Sequence, residues 1–213
     1  MLAWLTERRA IALNVIIEAR VGADPGPRHL DRPDGLPRVF PAVMFPVLDA
    51  DGRVIYTLSR HLRPAASRWW NTAERAAPNP RLAFYGPPRP GPIIVTEGPI
   101  DALSARAAGY RATAVLGAGN VDATIADRLT AERRRLVLAF DNDPEGQAAT
   151  DRLVDLLDER EARWCSAAIP DQYNDLNAWH VVCQNRWRDI MHTNTRLGSV
   201  ANSPPTASSA TIA

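Results

Sequence analysis

Two apolar runs in this chain each end in a cluster of carboxylates, and nothing else in it limits the fold so strongly. Ile93-Ile94-Val95-Thr96 leads into Glu97-Gly98-Pro99-Ile100-Asp101. Leu136-Val137-Leu138-Ala139-Phe140 leads into Asp141-Asn142-Asp143-Pro144-Glu145-Gly146. A helix-like stretch follows each cluster. Short continuous apolar runs suit strands buried on both faces, and in sheets of that kind ligands gather at the carboxyl ends of the strands. Carboxylates aimed at one point from separate strand ends make a site for a divalent metal, and metal acting on phosphate is the chemistry that follows.

The surrounding pattern supports a parallel sheet. From residue 92 the expected order is strand 92–96, helix 99–108, strand 112–115, the turn Gly117-Ala118-Gly119-Asn120 and helix 122–132. Strand 135–140, helix 145–160, strand 163–168 and a helix near 176–191 complete it. Strand and helix alternating through short links imply a mostly parallel sheet flanked by helices. The first 90 residues read differently. Leu2, Leu5, Ile11, Val15 and Ile16 fall near helical spacing over residues 2–20, and Gly22, Pro25 and Gly26 end that helix. Residues 24–41 read as a loop, residues 42–48 and 53–59 as a hairpin around Asp49-Ala50-Asp51-Gly52, and the proline-rich stretch 60–91 as irregular. The expected organisation is a basic subdomain at 1–90, a catalytic domain at 91–192 and a disordered tail rich in Ser, Thr, Ala and Pro at 193–213.

Charge divides along the same line. Residues 1–90 hold 13 arginines against 8 acids, a net +5, and residues 91–192 hold 11 arginines against 16 acids, a net −5. A basic half beside an acidic, metal-binding half suits a phosphodiester substrate. Every cation is a planar guanidinium because the chain has no lysine, which excludes Schiff-base chemistry through lysine. Cys165 and Cys183 lack metal-ligand spacing and read as reduced thiols of a cytoplasmic protein without structural zinc. No apolar stretch approaches membrane-spanning length, and the first residues lack a signal-peptide pattern.

Within the acidic clusters, Glu97 should project from its strand end, with Asp101 in the first turn of the next helix on the same side. Asp141 and Asp143, two apart in extended chain, point the same way. Gly98 and Gly146 keep side-chain bulk away, so backbone amides can approach a ligand. Such close carboxylates raise one another's pKa until a cation relieves them. Gly117-Ala118-Gly119 could cradle phosphate or simply form a tight strand-to-helix turn. Trp69-Trp70 reads equally as a core plug or as a stacking platform. Arg133-Arg134-Arg135 reads as a solvated helix end.

These residues resemble a known family. Val95-Thr96-Glu97-Gly98-Pro99-Ile100-Asp101-Ala102-Leu103, then Gly109, Val115-Leu116-Gly117, and Phe140-Asp141-Asn142-Asp143 with Gly146 and Ala148-Ala149, look like the Toprim domain of DnaG-type primases, topoisomerases and some nucleases. The flanks narrow the resemblance to the RNA polymerase core of a DnaG-type primase. Phe45-Pro46-Val47-Leu48, Gly52-Arg53-Val54-Ile55, Ser59-Arg60, Arg68-Trp69-Trp70-Asn71-Thr72-Ala73-Glu74 and Leu82-Ala83-Phe84-Tyr85-Gly86 are similar to segments preceding the primase Toprim part. Asp175-Leu176-Asn177 stands where primases place a third acidic motif.

The resemblance implies an α/β fold, a Rossmann-like Toprim domain with a small N-terminal α+β primase-like subdomain. It implies synthesis of short RNA primers on single-stranded DNA from NTPs, with Mg2+ or Mn2+. Glu97 would serve as acid/base or metal ligand, Asp141 and Asp143 would hold the metal, Asp101 would support the site, and Asp175 would complete the acidic patch. Arg60, Arg68 and Asn71 would contact template or nucleotide, and Trp69, Gly98 and Gly146 would help bind them. The chain departs from the family pattern where Arg68 replaces lysine, where Trp69 and Trp70 replace smaller residues, and where Asn177-Ala178 thins the third motif. No zinc-ribbon cysteines precede the core, which implies a separate zinc-binding template-recognition protein or helicase as partner. The compact form suits a phage or mobile element. The alternatives are a Toprim-type metal-dependent nuclease and a non-catalytic module that binds single-stranded nucleic acid.

Overall fold

Apolar alternation in the chain builds two β-sheets that meet across a shared core. The computed structural model describes residues 1–25, 41–63, 68–183 and the backbone of 195–197. Gly22–Asp24 (β1), Ala42–Leu48 (β2), Val54–His61 (β3) and Trp69–Asn71 (β4) form an antiparallel sheet in the order β1-β2-β3-β4. The β2–β3 hairpin closes as expected, because the Asp49 carboxylate accepts the N–H groups of Asp51 and Arg53 at 3.0 and 2.8 Å.

The second sheet contains Ala83–Phe84 (β5), Ile93–Thr96 (β6), Arg111–Ala114 (β7), Leu136–Ala139 (β8), Trp164–Ala167 (β9) and Thr195–Leu197 (β10), in the order β10-β9-β8-β6-β7-β5. The four inner strands run parallel, and the two edge strands run antiparallel to them. The helices are Leu13–Glu18 (α1), Pro99–Ala107 (α2), Ala123–Ala131 (α3), Pro144–Asp158 (α4) and Leu176–Cys183 (α5).

Period-two alternation sorts the strand residues. Ile93, Val95, Leu136 and Leu138 pack with Ile125, Leu129, Leu153 and Leu157 of α3 and α4. Ile94, Ala112, Val137 and Ala139 face the other way, toward Leu103 of α2, Leu176 and Trp179 of α5, and Phe45 and Leu58 of the first sheet. Both faces of the parallel sheet are therefore covered, which is why its strands read as unbroken apolar runs. The α/β class and the strand–helix order from residue 92 match the sequence reading.

Three elements differ from it. The expected helix over 2–20 is broken: Trp4–Arg8 is a π-helical turn, Ala10 takes φ +54°, and α1 starts at Leu13. The Ile11 N–H bonds the Leu5 carbonyl at 3.0 Å, so the chain turns to bury Ile11 rather than continue the helix. The stretch 60–91 contains β4 and β5, and β5 already belongs to the second sheet although it precedes the expected boundary at 91. Backbone pairing with β9, which hydropathy does not report, draws Thr195–Leu197 out of the expected tail. The rest of that tail, the end of the last helix beyond Cys183, and most of the loop at 24–41 lie outside the described residues.

One polar knot ties α1 to α2. The Arg106 side chain is 0 % exposed and donates to Glu18 at 2.7 Å and to the Pro87 carbonyl at 2.7 Å, while Arg89 reaches the same Glu18 oxygen at 2.8 Å. The Arg106 hydrogen bond holds the Glu18 carboxyl below its ordinary pKa. Glu18→Ala leaves a guanidinium buried without its counter-charge, and we expect a loss of about 3–5 kcal/mol. Urea titration checks this through a lower midpoint at unchanged slope. Glu18→Leu with Arg106→Met removes both charges and should recover most of the loss.

Candidate functional site

The acidic clusters lie where the parallel strands end. Gly98 is the residue before α2 and Pro99 its first helical residue, a start suited to a ring that offers no N–H. Asp101 therefore falls in the first turn of α2, as its spacing predicts, and is almost fully buried. Asp141 follows β8. Asp143 caps α4 by accepting the Gly146 N–H at 2.8 Å, and Asp175 accepts the Ala178 N–H at 2.6 Å at the start of α5.

These elements surround a cleft of about 330 Å3. One wall carries Glu97, Gly98, Asp101, Asp141 and Asp175; the other carries Arg9, Arg60, Trp69 and Asn71. Antiparallel register sets the second wall. Leu58 and Arg60 of β3 pair with Asn71 and Trp69 of β4, so all of them face the cleft. Three buried polar atoms at the cleft lack a hydrogen-bond partner among the described residues: Arg9 Nε, Arg60 Nε and Asp141 Oδ1. Buried polar groups are almost always paired, so these atoms of opposite charge at one cleft hold hydrogen-bonding capacity that the described residues do not use.

The acids feel one another. Burial pushes Asp141 up to about 8, helped by the charges of Asp101, Glu97, Asp175 and Asp143. Burial and then Asp175 push Asp101 up to about 7, against the lowering hydrogen bond from the Asn177 N–H. Burial raises Glu97 too, partly offset by the Ala118 N–H. Across the cleft, burial and the nearby Arg9 and Arg68 lower the pKa of Arg60.

Protons and cations therefore compete for the acidic wall. At intermediate pH the folded chain keeps protons on Asp141 and Asp101 that the unfolded chain has shed. That favours folding on the acid side and is lost as pH rises through about 7 and about 8. Melting of the metal-free protein should show Tm falling over the interval from about pH 4, where the unfolded carboxylates shed their protons, to about pH 8, where the folded ones have done so. Added Mg2+ should raise Tm more at its alkaline end, where no proton need be displaced.

The donor set is all carboxylate oxygen, which fits a hard divalent cation. Among the described residues no three His, Cys, Asp or Glu side chains stand at metal-ligating spacing. Asp141 Oδ1 is a donor atom without a hydrogen-bond partner among the described residues.

The structure brings together Glu97, Gly98, Asp101, Asp141, Asp175, Arg60, Trp69 and Asn71, all named from the sequence. Asp143, Arg68 and Gly146 do not line the cleft, although Asp143 and Arg68 act on it through charge. Gly146 is required by packing: a Cβ there would lie 2.3 Å from the Asp141 carbonyl oxygen, and its N–H is taken by Asp143. Trp69 packs on Phe45 at 5.5 Å between ring centroids and carries the Arg60 guanidinium 5.3 Å from its own centroid, so it supports a cation at the cleft. Trp70 is 43 % exposed and faces away. The Gly117 turn runs on into Ala118, whose N–H bonds Glu97, so it holds a carboxylate in place. Arg9 was illegible in the sequence, where it is one of two adjacent arginines inside an apparent helix. Asn177 sits in the thinned third motif and bonds Arg9, Ser104 and Asp101.

Comparison with known proteins agrees with this geometry. Residues 94–180 match the Toprim-like family. No curated protein matches the sequence. Among solved structures, a DNA primase domain from Pseudomonas aeruginosa superposes with a TM-score of 0.73 at 20% identity, over 90% of this chain and 70% of that one. A DnaG primase catalytic domain bound to single-stranded DNA gives the same TM-score, identity and coverage. The zinc-binding and RNA polymerase domains of the Aquifex aeolicus primase give 0.70 at 18% identity, over 89% of this chain and 54% of that one. The Toprim-like family model therefore matches residues 94–180, and the chain shares its fold with the catalytic cores of DnaG-type primases.

Proposed function

We propose that this chain is a primase-type nucleotidyltransferase that makes short RNA primers from NTPs on a single-stranded DNA template. The observation that carries the reading is the cleft itself, with Glu97, Asp101, Asp141 and Asp175 facing Arg9 and Arg60. A nucleoside triphosphate chelating a divalent cation has the complementary charge pattern. The similar DnaG domain bound to single-stranded DNA supports the choice of template.

Glu97, Asp101, Asp141 and Asp175 would hold Mg2+ or Mn2+, with Asp143 adding charge beside them. When bound, the cation lowers the pKa of the primer 3′-hydroxyl and neutralises charge developing on the α-phosphate. Arg9 and Arg60 bind the triphosphate through guanidinium N–H groups, and Trp69 holds Arg60 in place for that contact. Asn71, which lines the cleft, and Arg68, whose charge acts on Arg60, would contact the template. Gly98 carries no side chain, which leaves the entrance beside Asp101 open. A separate helicase or zinc-binding protein would help select the start site.

The test is incubation with single-stranded DNA, Mg2+ and labelled NTPs. Short RNA products are expected. Shortened DNA without incorporation would instead favour a nuclease, and salt-sensitive DNA binding with neither product would favour a binding module. Arg60→Met should raise the KM for NTP about tenfold or more and change kcat little, since it removes a charged contact to the nucleotide. Steady-state kinetics checks this.

A further inference from the structure

The two walls of the cleft come from distant parts of the chain, and Asn177 joins them. Its Oδ1 accepts from the Arg9 guanidinium at 3.1 Å. Its Nδ2 donates to the Arg9 carbonyl at 3.0 Å and to Ser104 Oγ at 2.9 Å. Its main-chain N–H donates to Asp101 Oδ1 at 2.9 Å. The amide cannot be turned over, because the Ser104 hydroxyl gives its own proton to the Ile100 carbonyl at 3.0 Å and must accept from Asn177. One turn further along α5, His180 Nε2 lies 3.0 Å from the Ala10 carbonyl. Residues 177 and 180 thus grip the two carbonyls at the break in the N-terminal helix, where Ala10 has positive φ. Asn177 and His180 are both almost fully buried.

We propose that Asn177 is a positioning residue. It fixes the Arg9 guanidinium opposite Asp101, so that the phosphate-binding cation stands at a set separation from the carboxylate wall. The side chain types fit this task and not metal ligation. Both amide hydrogens and the Oδ1 of Asn177 are committed to protein partners, so it offers nothing to a metal. An aspartate in its place could not donate to Ser104 or to the Arg9 carbonyl. The inference rests on the reading of the cleft as a nucleotide site and names the residue that sets its width.

The test is a double-mutant cycle on Arg9→Met and Asn177→Ala, with the full chain, read by titrating a fluorescent NTP analogue in Mg2+ and, separately, Mn2+ alone. Asn177→Ala should weaken nucleotide binding about tenfold, the scale of one lost hydrogen bond to a charged group. Mn2+ binding should change less than about twofold. In the Arg9→Met background, Asn177→Ala should weaken nucleotide binding no further, because its effect passes through Arg9. His180→Ala loosens the same turn without touching the guanidinium and should lower Tm while leaving nucleotide binding within about twofold. If Asn177→Ala does not fold, Asn177→Ser carries the same expectations. An equal loss in the Arg9→Met background, a parallel loss of Mn2+ binding, or no loss of nucleotide binding overturns the proposal. A wild-type chain that binds nucleotide but makes no RNA refutes the primase reading and leaves the positioning role standing; one that binds no nucleotide refutes both.

Discussion

Asp141→Asn should abolish primer synthesis while making the metal-free protein more stable. Both effects have one cause. Asp141 is pushed up to about 8 by its burial and by four neighbouring acids, and its Oδ1 lacks a hydrogen-bond partner among the described residues. Ionising it without a cation is unfavourable, so a neutral side chain of the same shape relieves the fold. At pH above about 8, where the native carboxylate must carry its charge, we expect a gain of about 1–3 kcal/mol, the scale on which a buried polar group left unsatisfied destabilises a protein. On the proposed reading, the same substitution removes one of the oxygens that would hold the cation. Loss of one preorganised electrostatic group at a reacting centre costs about 10²–10³ in rate. Primer synthesis and thermal melting on one preparation measure the two effects. A variant less stable than wild type and still active would break the link between strain at Asp141 and function.

Gly146→Ala should have the largest effect on folding of any single methyl addition in the site. The added Cβ would stand 2.3 Å from the Asp141 carbonyl oxygen and 3.0 Å from the Asp141 C and N atoms, all backbone that cannot rotate away. Helix α4 or the end of β8 must move. We expect a loss of about 3 kcal/mol or more, at the upper end for overpacking. Divalent-metal affinity should fall with it, because the displaced residue is Asp141. Gly98→Ala is the natural comparison. Its Cβ meets Asp101 Oδ2 at 3.5 Å, an ordinary contact, so stability should change by less than about 1 kcal/mol. Denaturant unfolding and Mn2+ titration of both variants check the contrast.

The parallel sheet and its acidic edge were legible because they depend on local signals. Runs such as Ile93–Thr96 and Leu136–Ala139 are buried on both faces, and their order between amphipathic helices admits few topologies. Spacing placed Asp101 in the first turn of α2 for the same reason. The basic wall was only half legible. Arg60, Trp69 and Asn71 were reached through resemblance, but their common face depends on the β3–β4 register, which pairs residues 9 to 13 apart. Arg9 and Asn177 were missed as partners because their contact spans 168 residues of chain, and no periodicity encodes such a distance. Gly146 carried a sequence signal that admits two physical meanings. A glycine after an acidic turn frees space either for a ligand or for a neighbouring backbone, and here the backbone of Asp141 occupies it.

Nucleotidyl transfer in this cleft requires carboxylates from separate strand ends to share one divalent cation. Crystals soaked in Mn2+ test this directly, because the ion can be located by anomalous scattering. The expected result is a peak at the mouth of β6 and β8, with oxygens of Glu97 and Asp141 drawn to about 2.1 Å from it and Asp101 or Asp175 completing the shell. An empty cleft at saturating Mn2+, or Glu97 and Asp141 held more than about 10 Å apart around a peak lying elsewhere, would contradict it.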